Sequence, residues 1–200
     1  MHRTNLGHAF PEEIPFAAEA LHRGEVVAFP TETFYALGVN ALDDIALARL
    51  RTLKGRGQEK AISVLVSGVE MLEELCVRIS PLARRLILEH WPGPLTLALP
   101  ARRGLPAPLV SKGFIAVRHS PHPTAQALVE AFGGPVTATS ANRAGEPPTT
   151  TAEAVEEIFE GRCRVIHGGT TPGGAPSTLV RVRGDHLEVL RRGVLVLPGY

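Results

Sequence analysis

Glu25-Val26-Val27-Ala28-Phe29-Pro30-Thr31-Glu32-Thr33-Phe34-Tyr35-Ala36-Leu37-Gly38 sets an apolar run directly against a polar cluster. Residues 25–29 have the length and composition of a short buried strand. Pro30, which has no N–H to donate, ends it. Residues 31–38 then read as a loop. Before the strand, residues 12–23 read as a helix stopped by Gly24. After the loop, Asp43 or Asp44 caps a second helix. Its apolar positions Ile45, Leu47, Leu50 and Leu53 predict a core stripe. That helix runs out at Lys54-Gly55-Arg56-Gly57. The polar cluster therefore follows the carboxyl end of a strand, which is where open α/β sheets bind ligands.

The same rhythm recurs along the chain. Ala61 to Val66 reads as a strand, and two helical patterns come next. In the second, Ser80 is a good N-cap and Pro81 suits the first helical position. The prolines of Trp91-Pro92-Gly93-Pro94 end that helix. Leu95 to Leu99 reads as a strand and residues 100–112 as a surface loop. Phe114 to Val117 predicts a strand leading into Arg118. Residues 123–132 predict a helix stopped at Gly133-Gly134. Val136 to Ala138 predicts a strand leading into Thr139-Ser140-Ala141-Asn142, and residues 152–159 an amphipathic helix. Apolar runs at 164–166, 178–182, 187–190 and 194–197 make the remainder β-rich. Alternating helices and strands predict an α/β domain, and consecutive strands near the end require a mixed sheet. No repeat or composition shift divides the chain, so one domain over residues 1–200 is expected.

Composition narrows the function. Lys plus Arg total 21 against 20 for Asp plus Glu, which gives no global pull toward nucleic acid or membrane. Any basic site must be assembled locally by the fold. The two cysteines, Cys76 and Cys163, form no CxxC pattern and predict neither a disulfide framework nor a zinc site. No apolar run is long enough to span a bilayer, and the first residues lack a signal-peptide core. No membrane partner and a cytoplasmic location are expected.

Common nucleotide motifs fail. Gly169 and Gly174 have the outer spacing of a P-loop, but Ala175 and Pro176 replace its Lys and Ser/Thr. Gly55-Arg56-Gly57 begins a dinucleotide fingerprint that Lys60 breaks. His119 and His122 are flanked by Pro121 and Pro123, which prevents a helical metal-binding pair, and no metal site is expected. What remains is a set of polar clusters beside strand ends. Lys54 and Arg56 flank a glycine at an exposed-looking turn. Either a solvated basic helix end or a phosphate clamp satisfies that segment. Ser140 and Asn142 suit a turn, or equally a ribose, phosphate or amino-acid ligand. Arg118 suits a surface carboxylate or a substrate carboxylate. Tyr35 suits the core or a pocket wall, and the loop from Gly168 to Pro176 a plain connection or a cover.

Read together, these segments resemble the YrdC-like threonylcarbamoyl-AMP synthase family. The resemblance runs from Phe29-Pro30-Thr31-Glu32-Thr33-Phe34-Tyr35-Ala36-Leu37-Gly38 to Leu190-Arg191-Arg192-Gly193. Between them lie Lys54-Gly55-Arg56, Trp91-Pro92-Gly93-Pro94-Leu95-Thr96, Val117-Arg118, Thr139-Ser140-Ala141-Asn142 and Ser177-Thr178. The resemblance implies a twisted open mixed sheet flanked by helices, with a large concave ligand cleft. It implies that L-threonine, bicarbonate and ATP combine to threonylcarbamoyl-AMP and pyrophosphate, with Mg2+ carried on ATP. The product would feed the threonylcarbamoyl modification of tRNA through the transferase machinery. By motif match, Lys54, Arg56, Asn142, Thr150 and Arg191 would hold ATP, with Lys54 and Arg56 acting on the reacting phosphates. Thr31, Arg118, Ser140 and Ser177 would surround threonine. Two other readings use the same fold: an RNA-binding module, and a paralogue with another acceptor. Ala36, Leu65, Ser120, Ala144 and Arg181 depart from the residues usual in the family, which bears on the acceptor.

Overall fold

Helix ends and strand pairings account for most of the architecture. The computed structural model describes residues 12–55 and 61–197. In chain order the elements are helix α1 (Glu13–His22), strands β1 (Val27–Pro30) and β2 (Tyr35–Gly38), helix α2 (Asp44–Lys54) and strand β3 (Val64–Leu65). Helices α3 (Val69–Leu75) and α4 (Pro81–His90) precede strands β4 (Leu95–Pro100), β5 (Val110–Ser111) and β6 (Phe114–Arg118). Helix α5 (Pro123–Phe132), strands β7 (Val136–Thr137) and β8 (Thr139–Ser140), and helix α6 (Ala152–Phe159) follow. Strands β9 (Arg164–Val165), β10 (Thr178–Arg183) and β11 (His186–Arg191) complete the fold.

The caps are local and legible. Asp43 accepts from the backbone N–H of Ile45 and Ala46, and Ser80 from that of Ala83. Each satisfies helix N–H groups that have no partner within the helix. Gly55 and Gly133 close α2 and α5 in the left-handed region, at φ of 61° and 73°.

The expected open mixed α/β architecture is present, divided between two sheets. One has the order β8-β2-β1-β9, and the other β11-β10-β4-β6-β3-β7 with β5 beside β6. Both mix parallel and antiparallel neighbours: β1 runs parallel to β9 and antiparallel to β2, while β4 runs parallel to β10 and antiparallel to β6. The chain changes sheets at Ala138, between β7 and β8. There Val39 N–H donates to Thr137 Oγ1 at 2.9 Å, and Ser63 Oγ donates to the Ala138 carbonyl at 2.6 Å. Gly38 fits this junction because a Cβ would lie 2.7 Å from the Thr137 carbonyl oxygen and from Phe29. A larger core joins α2, α3, α4 and α6 to the strands, and a smaller one packs α1 against α5.

Several expectations change. Residues 35–38 of the predicted loop form β2, because Pro30 ends its own ladder position without ending the hairpin. Ile45 is 74% exposed, and Ala46 takes the core position beside Leu47 and Leu50. The predicted strand 61–66 contracts to Val64–Leu65. The predicted loop 100–112 contains a 3-10 turn at Ala107–Leu109 followed by β5. Residues 194–197 form no strand; the Leu195 carbonyl instead accepts from Thr178 Oγ1 at 2.6 Å.

Candidate active site

A cleft of about 900 Å³ opens where the two sheets meet. Thr31, Lys54, Arg118, Ser140, Asn142, Ser177 and Arg191, all singled out from sequence, line it together. Arg56 lies outside the described residues. Thr150 does not line the cleft. Its carbonyl accepts from Thr171 N–H at 2.8 Å and so anchors the glycine-rich segment that follows.

One wall is built on the end of α2. Gly55 stops the helix one residue after Lys54, and the Lys54 carbonyl accepts from Ala144 N–H at 2.9 Å. The Lys54 side chain is buried, which corrects the expectation of an exposed turn: it is 4% exposed. Its ammonium donates to the Asn142 carbonyl at 3.0 Å, to Asn142 Oδ1 at 3.1 Å and to the Ser140 carbonyl. Ser140 Oγ donates to Asn142 Oδ1 at 2.7 Å, and Asn142 Nδ2 donates to the Glu146 carbonyl. Lys54 therefore organises residues 140–146 as well as charging the wall.

The facing wall comes from β6, β10 and β11. Arg118, the last residue of β6, is 8% exposed, and one guanidinium nitrogen pairs with Glu32. Arg191 donates from Nε and Nη2 to the Ser177 carbonyl at 3.2 and 2.9 Å. Ser177 Oγ lies 2.8 Å from Thr96 Oγ1. Burial, and then the Arg191 charge, push Arg118 down to about 10. The Glu32 carboxylate acts in the opposite sense, and Arg118 remains a cation at neutral pH. Burial also lowers Arg191.

Two groups have structural roles. Tyr35 forms part of the cleft wall and is also fully buried, so both sequence readings hold. Its hydroxyl donates to the Gly169 carbonyl at 3.0 Å and accepts from Gly168 N–H at 3.1 Å. Burial raises its pKa. His122 is the N-cap of α5, its Nδ1 accepting from Thr124 N–H at 3.3 Å. Among the described residues, no group of three or more His, Cys, Asp or Glu could hold a metal ion. No helix of the described residues is long and apolar enough to cross a membrane.

Sequence reasoning gives Ser63 no place and names Thr96 only within a motif, without a site role; both line the cleft from strand ends without belonging to a polar cluster. Among the described residues the cleft is lined by three cations, Lys54, Arg118 and Arg191, and by no Asp or Glu. Such a lining favours anionic ligands, with hydroxyls placed to orient them.

Comparisons with known proteins give the cleft its context. The Sua5_yciO_yrdC family model, described as Telomere recombination, matches residues 19–193. Threonylcarbamoyl-AMP synthase of Bacillus subtilis is 38% identical over 184 residues, covering 90% of this chain and 53% of that protein. The same-named protein of Chromohalobacter salexigens is 38% identical over 183 residues, covering 90% of this chain and 97% of its own. The crystal structure of Pyrococcus abyssi Sua5 complexed with L-threonine matches with a TM-score of 0.87 at 38% identity. That match covers 92% of this chain and 55% of the other. The chain thus spans about half the length of the Bacillus and Pyrococcus relatives.

Proposed function

This chain belongs to the Sua5–YciO–YrdC family, and we propose that it is an L-threonylcarbamoyladenylate synthase. The observation that carries the proposal is the cleft's charge: three cations and no carboxylate among its described lining residues. Every substrate of this reaction brings negative charge to it. ATP brings phosphates, threonine a carboxylate, and bicarbonate becomes a carbamate on the threonine nitrogen.

In the proposed reaction, the threonine amine and bicarbonate give a carbamate and water. A carbamate oxygen then attacks the α-phosphorus of ATP. The bond from that phosphorus to the bridging oxygen breaks, and pyrophosphate leaves. The substrate supplies the nucleophile, so the protein needs no activated Ser or Cys. Its task is alignment and charge stabilisation. The Lys54 wall, with Asn142, would take the nucleotide, and Arg191 would meet its phosphates. Arg56 would complete the ATP set that family likeness suggests, and Thr150, which does not line the cleft, would act through its hold on the glycine-rich segment. Arg118, Thr31, Ser140 and Ser177 would hold threonine. Magnesium would enter as part of the Mg–ATP substrate, with its ligands coming from phosphate and water. The product would pass to the machinery that transfers threonylcarbamoyl to tRNA.

The test is pyrophosphate release from ATP by the purified chain, with L-threonine and bicarbonate each present or omitted. Release that requires both, with threonylcarbamoyl-AMP identified by mass spectrometry, is expected. ATP binding without stimulation by either addition would overturn the proposal and leave a nucleotide site with another acceptor.

A further inference from the structure

We propose that Glu32 is a positioning residue that fixes the Arg118 guanidinium, so that its remaining edge presents a two-pronged fork to a substrate carboxylate. The inference deepens the proposed threonine site and rests on that reading.

Glu32 sits on the tight turn between β1 and β2. Thr31 Oγ1 holds that turn by donating to the Phe34 carbonyl at 2.7 Å and accepting from Thr33 N–H at 3.3 Å. Thr33 in turn accepts through its carbonyl from Gly173 N–H at 2.7 Å. The turn is thus tied both to itself and to the glycine-rich segment. Both Glu32 oxygens are engaged by the protein. Oε1 accepts from Arg118 Nη1, and Oε2 accepts from Ser120 Oγ at 2.6 Å. Ser120 Oγ also accepts from His122 N–H at 3.2 Å, which anchors it at the start of α5. Carboxylate, serine and arginine side chain are therefore braced from two separate elements.

Arg118 carries five N–H donors in a rigid plane. Glu32 takes the Nη1 end. The Arg118 side chain makes no other hydrogen bond among the described residues, which leaves Nε and Nη2 for a ligand in the cleft. Those two donors match a carboxylate in the side-by-side arrangement that favours arginine at such sites. Without Glu32 the long side chain would have several orientations, few of which present that edge.

Positioning and simple charge balance predict opposite signs. Removing the Glu32 charge makes the cleft more positive, which by itself tightens every anion. Loss of the fixed fork weakens only a ligand that needs the fork. The experiment measures binding of L-threonine, L-threoninamide and pyrophosphate by calorimetry to the full chain, its Glu32→Gln variant and its Ser120→Ala variant. KM for threonine and for ATP, kcat and thermal midpoint are recorded alongside. In Glu32→Gln, threonine should bind about tenfold more weakly, as expected when one charge-assisted bidentate contact is degraded. Threoninamide should be unchanged, and pyrophosphate unchanged or tighter. Threonine KM should rise while kcat, ATP KM and the thermal midpoint hold. Ser120→Ala should move threonine in the same direction by less.

Threonine binding that stays equal or tightens in Glu32→Gln overturns the inference. So does parallel weakening of all three ligands with a fallen thermal midpoint, which would mark a structural role. Selective loss of threonine affinity in a protein that releases no pyrophosphate supports the inference and defeats the proposed reaction. Failure of the wild-type chain to bind threonine defeats both.

Discussion

Replacing Lys54 by Met tests whether this residue holds the cleft together as well as charging it. Methionine keeps the length of the stem and removes the ammonium. Three acceptors then lose a donor: the Ser140 and Asn142 carbonyls and Asn142 Oδ1. A hydrogen bond to a charged group contributes about 1.5–3 kcal/mol, and an acceptor left bare while buried costs about 1–3 kcal/mol. Two effects reduce the total. The cleft admits water that can replace part of the lost bonding, and the variant no longer bears the cost of dehydrating an ammonium. Taking about 1 kcal/mol per acceptor gives a net loss of about 3 kcal/mol. For a chain of this size, each kcal/mol lowers the thermal midpoint by about 2–4 °C, so a fall of about 6–12 °C is expected. Thermal unfolding followed by circular dichroism reads this directly, with pyrophosphate release measured on the same samples. Release should fall by about 100-fold or more, as when one preorganised charge is removed from a transition state. A variant as stable as the wild type would refute the reasoning: dehydration would then outweigh the three bonds, and Lys54 would serve the ligand alone.

Other perturbations separate the remaining contacts. Tyr35→Phe removes the hydroxyl that joins Gly168 and Gly169, so stability should drop by about 1–2 kcal/mol and amide exchange should quicken near residue 168. Unchanged exchange there would show that the hydroxyl does not hold the glycine-rich segment. Gly193→Ala would put a methyl 2.1 Å from the Pro176 carbonyl oxygen and 2.6 Å from Thr178 N, forcing β11 away from the start of β10. A loss of about 3 kcal/mol is expected, with weakened ATP binding as Arg191 leaves Ser177; a wild-type urea midpoint would contradict the close approach. Burial pushes the Cys76 thiol from 9.0 up to about 12, so the folded chain keeps a proton that the unfolded chain loses. Above about pH 9 the unfolded state binds fewer protons, and stability should fall by up to about 1.4 kcal/mol per pH unit. Urea unfolding between about pH 8 and pH 10.5 should show a shallower slope in Cys76→Ala, and identical slopes would rule out the buried thiol as the cause.

The readable and unreadable parts of this chain differ in how far apart the interacting residues lie. Asp43, Ser80 and Gly133 announce helix ends because a cap acts within one turn of itself. Arg118 and Ser140 could be placed at strand ends because an apolar run precedes each. β2 is invisible within its motif: four residues ending in glycine carry little alternation, and only the pairing with β1 makes them a strand. Ile45 lies outside the core for a related reason. The period of the helical stripe is right, but tight packing favours Ala46, and bulk alone does not choose between neighbouring positions. Lys54 is the most instructive case. A lysine before a glycine at a helix end fits solvent exposure as well as function, and nothing within ten residues distinguishes them. Its acceptors lie more than 80 residues away and meet it only because the chain crosses between sheets at Ala138. Glu32 shows the same dependence: its two partners, Arg118 and Ser120, are also more than 80 residues distant. The cleft therefore requires both long-range links. One carries a cation into residues 140–142, and the other carries a carboxylate onto the cation of β6. Disrupting the sheet crossing should disable both walls together, whereas disrupting the Glu32 link alone should damage recognition of threonine and spare ATP.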